Sequence, residues 1–309
     1  MGYIIGSFNI QKLSYRSDKE ISKNFAKIAE IIKKEKFDVV AIQEVLTEHV
    51  IKTHLIPALG KWEWAYCWAS PKSYTTSSAE GYAFLWRRTR LRLLPAPSNP
   101  QIYPGLEKNI DSGGLLRSPF VARFTPSGLP GGSHFEIRLI NTHILWEKPA
   151  ALPRTLSDYE MRKRELQILS ETVYRLFSTK RYGIFFPAYT FLLGDYNLCL
   201  SGPHHKIPEI VPIDGKRRLI TVQGEKTTLK TGDDPSDPYA NDYDHFSYED
   251  TLEGKLWLQA SRVDVLEVYY PNDPEAYRRE VSDHVPVKLT LNLKNPLRGE
   301  SLWNTPKNR

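Results

Sequence analysis

The sequence predicts an α/β protein, a mixed-sheet sandwich. Apolar runs of strand length recur along most of the 309 residues, bounded by Gly, Pro, Asn and Asp. Few stretches carry helical spacing, too few to place a helix between every pair of strands, so strictly alternating βαβ units are not expected. No repeat or long linker divides the chain. One domain over 1–293 is therefore expected, followed by a polar, basic tail at 294–309.

Tyr3-Ile4-Ile5-Gly6-Ser7-Phe8-Asn9-Ile10 reads as a buried opening strand. Ser17-Asp18-Lys19-Glu20 has capping-box spacing and leads into Phe25, Ile28, Ala29 and Ile32, which share a helical face. The apolar run from Phe37 then closes in Gln43-Glu44, a buried strand with a carboxylate at its end. Strands follow at 62–68, 81–88 and 91–94, and the Pro- and Gly-bearing 95–114 reads as a loop. Strands at 119–124 and 135–142 flank a Gly/Pro/Ser turn. A second capping box, Ser157-Asp158-Tyr159-Glu160, opens a long helix with Leu166, Leu169, Val173 and Leu176 expected on one face. The strand at 189–193 runs into Gly194-Asp195-Tyr196-Asn197, and 200–243 is rich in loops. Strands resume at 244–248, 263–269 and 285–291.

Composition narrows the class. With 40% hydrophobic and 25% charged residues the chain suits a packed globular protein and not a disordered one. The longest apolar runs fall far short of the ~20 residues of a membrane-spanning helix, so no membrane partner is expected. Cys67 and Cys199 are too few for a disulfide framework or a zinc site. The N-terminus opens on a strand instead of a basic and apolar leader, and Gly6 stands where a myristoylation signal needs Ser or Thr. A cytoplasmic location is the resulting expectation. The net charge of +6 suits an anionic substrate without requiring one.

Several apolar runs end in side chains suited to metal or proton chemistry. They are Phe8-Asn9, Ile42-Gln43-Glu44, Asn141-Thr142-His143, Gly194-Asp195-Tyr196-Asn197 and Ser282-Asp283-His284. Singly, each has an ordinary explanation: a strand-closing Asn, a solvated carboxylate, a core histidine, an Asx turn, a surface turn. Their recurrence in one chain at the same kind of location does not. The C-terminal ends of neighbouring strands meet at one sheet edge, where open α/β folds bind ligands. Carboxylate and amide oxygens hold a hard cation, a base activates water, and imidazole changes charge near neutral pH. Phosphodiester hydrolysis needs that set.

These residues resemble the endonuclease/exonuclease/phosphatase superfamily, and within it the deoxyribonuclease I-like branch. Its opening strand is matched by Ser7-Phe8-Asn9-Ile10-Gln11, its metal-binding Gln-Glu by Ile42-Gln43-Glu44-Val45, and its Glu-bearing strand by Glu80-Gly81-Tyr82 onward. Arg117-Ser118-Pro119, Asn141-Thr142-His143, Gly194-Asp195-Tyr196-Asn197 and Ser282-Asp283-His284-Val285-Pro286-Val287 follow in the family's order. The resemblance implies a four-layer α/β/β/α sandwich of two mixed β-sheets flanked by helices, with a metal site at one sheet edge. It implies that Glu44 and Asp283, helped by Asn9, hold Mg²⁺, for which Mn²⁺ substitutes. Asp195 and Asn197 would orient the attacking water and bind phosphoryl oxygens. His284 and His143 would contact the scissile phosphate, and Glu80 would buttress His143. The carboxylate paired with His284 is Asp244 in the favoured reading, because Thr227-Thr228 precedes it as in the deoxyribonuclease pattern; Asp264 is the alternative. His245 stands where the branch usually has Arg.

Loops around such a core choose the substrate. Trp146 and the basic residues up to Arg154, like Tyr15 beside Arg16, combine groups that stack on bases with groups that neutralise phosphates. Arg117, Trp146, Tyr15 and Arg16 are the candidate substrate contacts. Nucleic acid, DNA in the favoured reading, is the expected partner, and no obligate protein partner is evident. The alternative is a phosphatase or phosphodiesterase acting on a small anionic or phospholipid substrate, although the Pro-Ala-Trp-Cys-Asp-Arg signature of inositol phosphatases is absent. A non-enzymatic nucleic-acid-binding module is the weakest reading. Lys216-Arg217-Arg218 reads as a solvated run. Asp233, Asp234, Asp237 and Asp242 lack the spacing of an EF-hand, leaving a structural Ca²⁺ as a minor alternative.

Overall fold

The computed structural model describes residues 2–15, 23–70, 80–95, 99–102, 115–128, 135–147, 157–181, 187–201, 205–208, 210–231 and 237–294. One sheet runs, in hydrogen-bonded order, β13 (Leu256–Arg262), β14 (Val287–Leu293), β1 (Gly2–Leu13), β2 (Val39–Val45), β4 (Gly81–Arg87) and β3 (Trp64–Ala69). The second runs β10 (Val211–Pro212), β11 (Arg218–Val222), β12 (Asp244–Glu249), β9 (Ala188–Asp195), β8 (Glu136–His143), β7 (Phe120–Pro126) and β5 (Leu91–Leu93), with β6 (Gln101–Ile102) also on β7. The β1–β2 and β8–β9 pairs are parallel, and their neighbours β14, β4, β7 and β12 join them antiparallel.

The pattern of β2 shows why the sheets pack face to face. Val39 and Ala41 point into the core between the sheets with Phe84, Phe124, Leu139 and Leu289. Val40 and Ile42 point the other way, towards Ile28 and Ile32 of α1 (Phe25–Lys34). A strand buried on both faces loses polar alternation, hence the unbroken apolar run. Each such side chain contributes about 1.5–3 kcal/mol relative to exposure.

The outer face of the first sheet is covered by α1, by α2 (Glu48–Val50) and α3 (Ile56–Leu59) joined through a π turn at Ile51–Leu55, and by α6 (Val265–Val268) and α7 (Pro274–Glu280). The outer face of the second is covered by α4 (Asp158–Ile168), which continues through a π segment, Leu169–Tyr174, into α5 (Arg175–Thr179). A 3₁₀ turn, Asp250–Gly254, links β12 to β13. The order of layers is therefore α/β/β/α, as the family resemblance implied. Among the described residues no helix is long and apolar enough to cross a membrane.

Several local expectations are corrected. The cap of α1 is Asn24, whose Oδ1 accepts the Lys27 N–H at 3.1 Å; Ser17–Glu20 lie outside the described residues. Leu176 is 46% exposed and Phe177 takes its buried place. The π segment holds one residue more per turn than an α-helix, so the buried face shifts beyond it. The 263–269 stretch is not a strand. The strand before it ends at Arg262, and Val265, Leu266 and Tyr269 bury one side of α6 and the turn that follows. The short strands β6 and β10, with β11, interrupt what read as loops. Two-residue strands carry no periodicity to read. The tail beyond Lys294 lies outside the described residues.

The antiparallel neighbours also revise how the polar residues converge. Asn9, Glu44, His143 and Asp195 sit towards the C-terminal ends of the parallel strands. Glu80, Arg117, Asp244, Asp283 and His284 lie at or just before the starts of β4, β7, β12 and β14, whose N-terminal ends share that edge.

Candidate active site

Asn9 ties the two sheets together at this edge. Its Nδ2 donates to Glu44 Oε1 and to Asp195 Oδ2, each at 3.0 Å. Its Oδ1 is buried with no hydrogen-bond partner among the described residues. Gln11, two positions on and therefore on the same side of β1, donates from Nε2 to Asp283 Oδ2 at 2.8 Å. Glu44 occupies a bulge: Ile42 pairs with Ala83 but Val45 with Gly81, leaving an extra residue on β2. Its φ of 59° is left-handed, a strain of ~1–3 kcal/mol for a non-glycine residue. The Lys12 N–H, itself at φ 47°, holds the re-aimed carboxylate at 3.0 Å on Oε2.

On the second sheet Gly194 makes the approach possible. Its φ is 142°, and a Cβ there would lie 1.9 Å from the Thr142 carbonyl oxygen of β8. Asp195 then faces His143 across the parallel ladder. Its Oδ1 accepts the Asn197 N–H at 2.9 Å, and Asn197 Nδ2 donates to the Ile144 carbonyl at 2.7 Å. Asp195 Oδ2 lies 3.7 Å from His143 Nε2 and 3.7 Å from His284 Nε2. His284 Nδ1 is 2.8 Å from Asp244 Oδ2, which also accepts the Thr227 hydroxyl at 2.7 Å. Ser282 Oγ donates to the Asn9 carbonyl at 2.8 Å and accepts the His284 N–H at 3.1 Å, locking this turn to β1. Asp264, the other candidate partner, precedes α6 and accepts the Tyr239 hydroxyl.

Behind His143, Glu80 Oε2 lies 3.5 Å from its Nδ1 and 2.7 Å from Arg117 Nη2. Arg117 is only 4% exposed and also donates to the His143 carbonyl, so both terminal nitrogens face protein partners, while its Nε is buried without one among the described residues. Tyr82 accepts the His143 N–H at 3.1 Å.

The electrostatics divide the two histidines. Burial holds His143 well below the ordinary imidazole value, with the positive charges of Arg117 and His284 adding to it. Burial also opposes a charge on His284, but Asp244 and then Asp195 outweigh it and hold that ring well above the usual value. Burial raises Asp195, against the pull of His284 and with a push from Asp244. Burial raises Glu80 against Arg117. Asp195 thus stands between one ring whose charging is disfavoured and one whose charging is favoured.

Other residues named from sequence lie around this centre or away from it. Trp146, three positions past His143, is 42% exposed, with the Arg162 guanidinium 4.4 Å from its ring centre and Tyr243 beside it. Tyr15 is exposed and stacked on His54 at 4.2 Å. Arg16 and 148–154 lie outside the described residues. His245 is fully buried, its ring nitrogens 2.7 and 2.8 Å from the Gln223 and Leu198 carbonyls, so it braces loops. Arg217 pairs with Asp214 and Glu249, and Arg218 with Asp250, so the basic run is partly neutralised. Asp237 pairs with Lys226 and Lys230, and Asp242 accepts from Leu200 and Ser201; Asp233 and Asp234 lie outside the described residues. Sequence reasoning passed over Gln11, Tyr82 and Glu165. Only Gln11 carried a signal, its two-residue spacing from Asn9.

Among the described residues, two groups place metal-ligating atoms within 4.8 Å of one another: Glu44, Glu80 and His143, and Asp195, Asp244 and His284. Asp283 belongs to neither and is engaged by Gln11.

The profile of the Endonuclease/Exonuclease/phosphatase family matches residues 6–284. No curated protein is significantly similar in sequence. Among solved structures, ANGEL2, a 2′,3′-cyclic phosphatase in complex with adenosine-2′,3′-vanadate, is similar at a TM-score of 0.58 and 16% identity, over 95% of this chain and 96% of that one. A protein of the same family from Bacteroides thetaiotaomicron is similar at 0.57 and 16%, over 94% and 95%. D. rerio TDP2 complexed with single strand DNA product is similar at 0.55 and 14%, over 94% and 99%. At such identities the likeness is one of fold. The family match itself runs from β1 to His284 and includes every side chain placed at that edge. The chain belongs to the endonuclease/exonuclease/phosphatase family of phosphoesterases.

Proposed function

We propose that the protein is a Mg²⁺-dependent nuclease that hydrolyses phosphodiester bonds in DNA. The observation that carries this reading is the position of Asp195 Oδ2, 3.7 Å from His143 Nε2, 3.7 Å from His284 Nε2 and 3.0 Å from Asn9 Nδ2.

The residues fit a hard divalent cation. Glu44 and the unpartnered, buried Asn9 Oδ1 are oxygen donors of the kind Mg²⁺ and Mn²⁺ take. When bound, such a cation neutralises charge on the phosphate. The Asn197 N–H fixes Asp195 Oδ1 and leaves Oδ2 to align a water for in-line attack and draw its proton. His284, held as imidazolium by Asp244, faces the charge that develops on the phosphoryl oxygens. His143, whose charging burial disfavours and which has Glu80 3.5 Å behind its Nδ1, offers a hydrogen bond from the opposite side. Outside this centre, exposed Trp146 and Tyr15 suit bases; stacking on an aromatic contributes about 1–3 kcal/mol per base.

The test incubates purified protein and Mg²⁺ with plasmid DNA, with RNA ending in a 2′,3′-cyclic phosphate and with phosphoinositide vesicles, beside an EDTA blank. Cutting of DNA that stops with EDTA, and in folded Asp195→Ala and His284→Ala protein, is the expected result. Turnover of the cyclic phosphate or the phosphoinositide alone replaces the nuclease with the phosphatase reading. No turnover of any substrate sinks both.

A further inference from the structure

We propose that Glu165, on the outer helix α4, is a positioning residue for His143 and acts through Arg117; this rests on the catalytic reading of His143 given above. Glu165 is 1% exposed. Its Oε1 accepts the Leu116 N–H at 3.1 Å and the Arg117 N–H at 3.3 Å, while Oε2 is buried with no hydrogen-bond partner among the described residues. The turn before β7 packs on α4 through Leu115 and Leu116, and both of its backbone hydrogen bonds to that helix end on one oxygen.

What hangs from it is the group that sets His143. Arg117 Nη2 reaches Glu80 Oε2 at 2.7 Å, and Nη1 donates to the His143 carbonyl at 3.3 Å. Glu80 in turn lies 3.5 Å from His143 Nδ1. The chain of contacts thus holds the backbone of His143 by a hydrogen bond and sets a carboxylate near its Nδ1, which has no hydrogen-bond partner among the described residues. The Tyr82 hydroxyl takes the remaining backbone N–H. Capping alone does not need a buried carboxyl, since a hydroxyl or amide serves. Burial pushes the Glu165 carboxyl up to about 7, against the two N–H groups and Arg117, so the neutral acid persists to higher pH than in solvent. A neutral acid places one acceptor on the turn without drawing the Arg117 guanidinium away from Glu80. Glutamine keeps an acceptor oxygen for the two N–H groups and is uncharged like the neutral acid; alanine removes the acceptor.

The experiment reads two independent quantities. The first is the ring ¹H–¹⁵N signals of His143 by NMR in EDTA. The second is kcat and KM for bis(4-nitrophenyl) phosphate with Mg²⁺. Glu165→Ala is expected to move the His143 signals and to lower kcat about tenfold or more with KM within about twofold. Glu165→Gln stays within about threefold of native on kcat and leaves the signals in place. The double variant Glu165→Ala, Arg117→Ala is expected to be no worse than Arg117→Ala alone, because both remove one linkage. Glu165→Asn, too short to reach both N–H groups, repeats the alanine result if Glu165→Ala does not fold. Additive losses in the double variant, or native signals and kcat in folded Glu165→Ala or Glu165→Asn, overturn the proposal. Moved signals in a protein whose native form hydrolyses no phosphodiester uphold the linkage and overturn the catalytic reading of His143 instead.

Discussion

His284 and Asp244 meet at 2.8 Å, Nδ1 to Oδ2, with the carboxylate fully buried. Burial disfavours the imidazolium, so its persistence depends on Asp244 first and Asp195 second. Asp244→Asn is expected to lower the pH at which the His284 ring loses its proton, read by ¹⁵N shifts in EDTA. It is also expected to reduce kcat by about 10²-fold or more, the scale of losing one transition-state donor. The sign for stability follows. A histidine raised on folding contributes most below its unfolded value of about 6.5, and the contribution fades as pH rises through the folded value. The gap in melting temperature between native and Asp244→Asn protein should therefore narrow on the alkaline side. A constant gap would mean that Asp244 supports the fold without holding a charge.

Glu44 is held out on a bulge at a left-handed φ and offers an oxygen beside the free Asn9 Oδ1. Glu44→Gln keeps the size of the side chain but removes the only negative charge of that pair, and its NH₂ replaces one of the two oxygens that accept from Asn9 and Lys12. Activity is expected to fall at low Mg²⁺ and to recover partly as Mg²⁺ is raised, so that the apparent metal requirement shifts about tenfold or more. A loss equal at every Mg²⁺ concentration would argue that Glu44 positions Asn9 and Lys12 and does not bind the cation.

The fold and half of the site were legible for the same reason. Strands buried on both faces, like β2, print an unbroken apolar run, and the first polar residue after it is visible by contrast. Asn9, Glu44, His143 and Asp195 stood out this way. Glu80, Arg117 and Asp244 precede their strands, where a polar residue looks like any loop residue, and only motif likeness singled them out. The bulge that aims Glu44 left no trace in hydrophobicity, because it inserts one residue and the run continues into Val45. The swing of Leu176 to solvent depends on a π segment that no spacing announces. Glu165 was beyond reach because its meaning lies in a contact 48 positions away in sequence, to a turn whose place on α4 only the packed layers determine.

Trp146 stands over the Arg162 guanidinium with 42% of its surface exposed, so its removal leaves no cavity in the core. Trp146→Ala is expected to change the melting temperature little while raising KM for a DNA oligonucleotide several-fold, consistent with about 1–3 kcal/mol of stacking. Hydrolysis of bis(4-nitrophenyl) phosphate, which offers no nucleobase, should change far less. Equal losses on both substrates would place Trp146 with the scaffold of the His143 strand and not with substrate grip.

Glu165 also carries a pH signature that is separate from catalysis. Its carboxyl rises on folding from the ordinary 4.5 to about 7, chiefly through burial. A carboxyl raised on folding favours the native state while protonated. The contribution is fully present below the unfolded value and is lost as pH climbs through the folded one. The native protein should thus lose up to ~3.5 kcal/mol between acid and mildly alkaline pH through this group alone, at about 1.4 kcal/mol per unit. Glu165→Gln cannot ionise and escapes that loss. Its stability relative to native, from urea melts at a series of pH values, is expected to climb steadily from about pH 4.5 and to level off beyond about pH 8. A relative stability that stays flat across the range would mean that Glu165 remains ionised in the core, with Arg117 and the two turn N–H groups winning over burial.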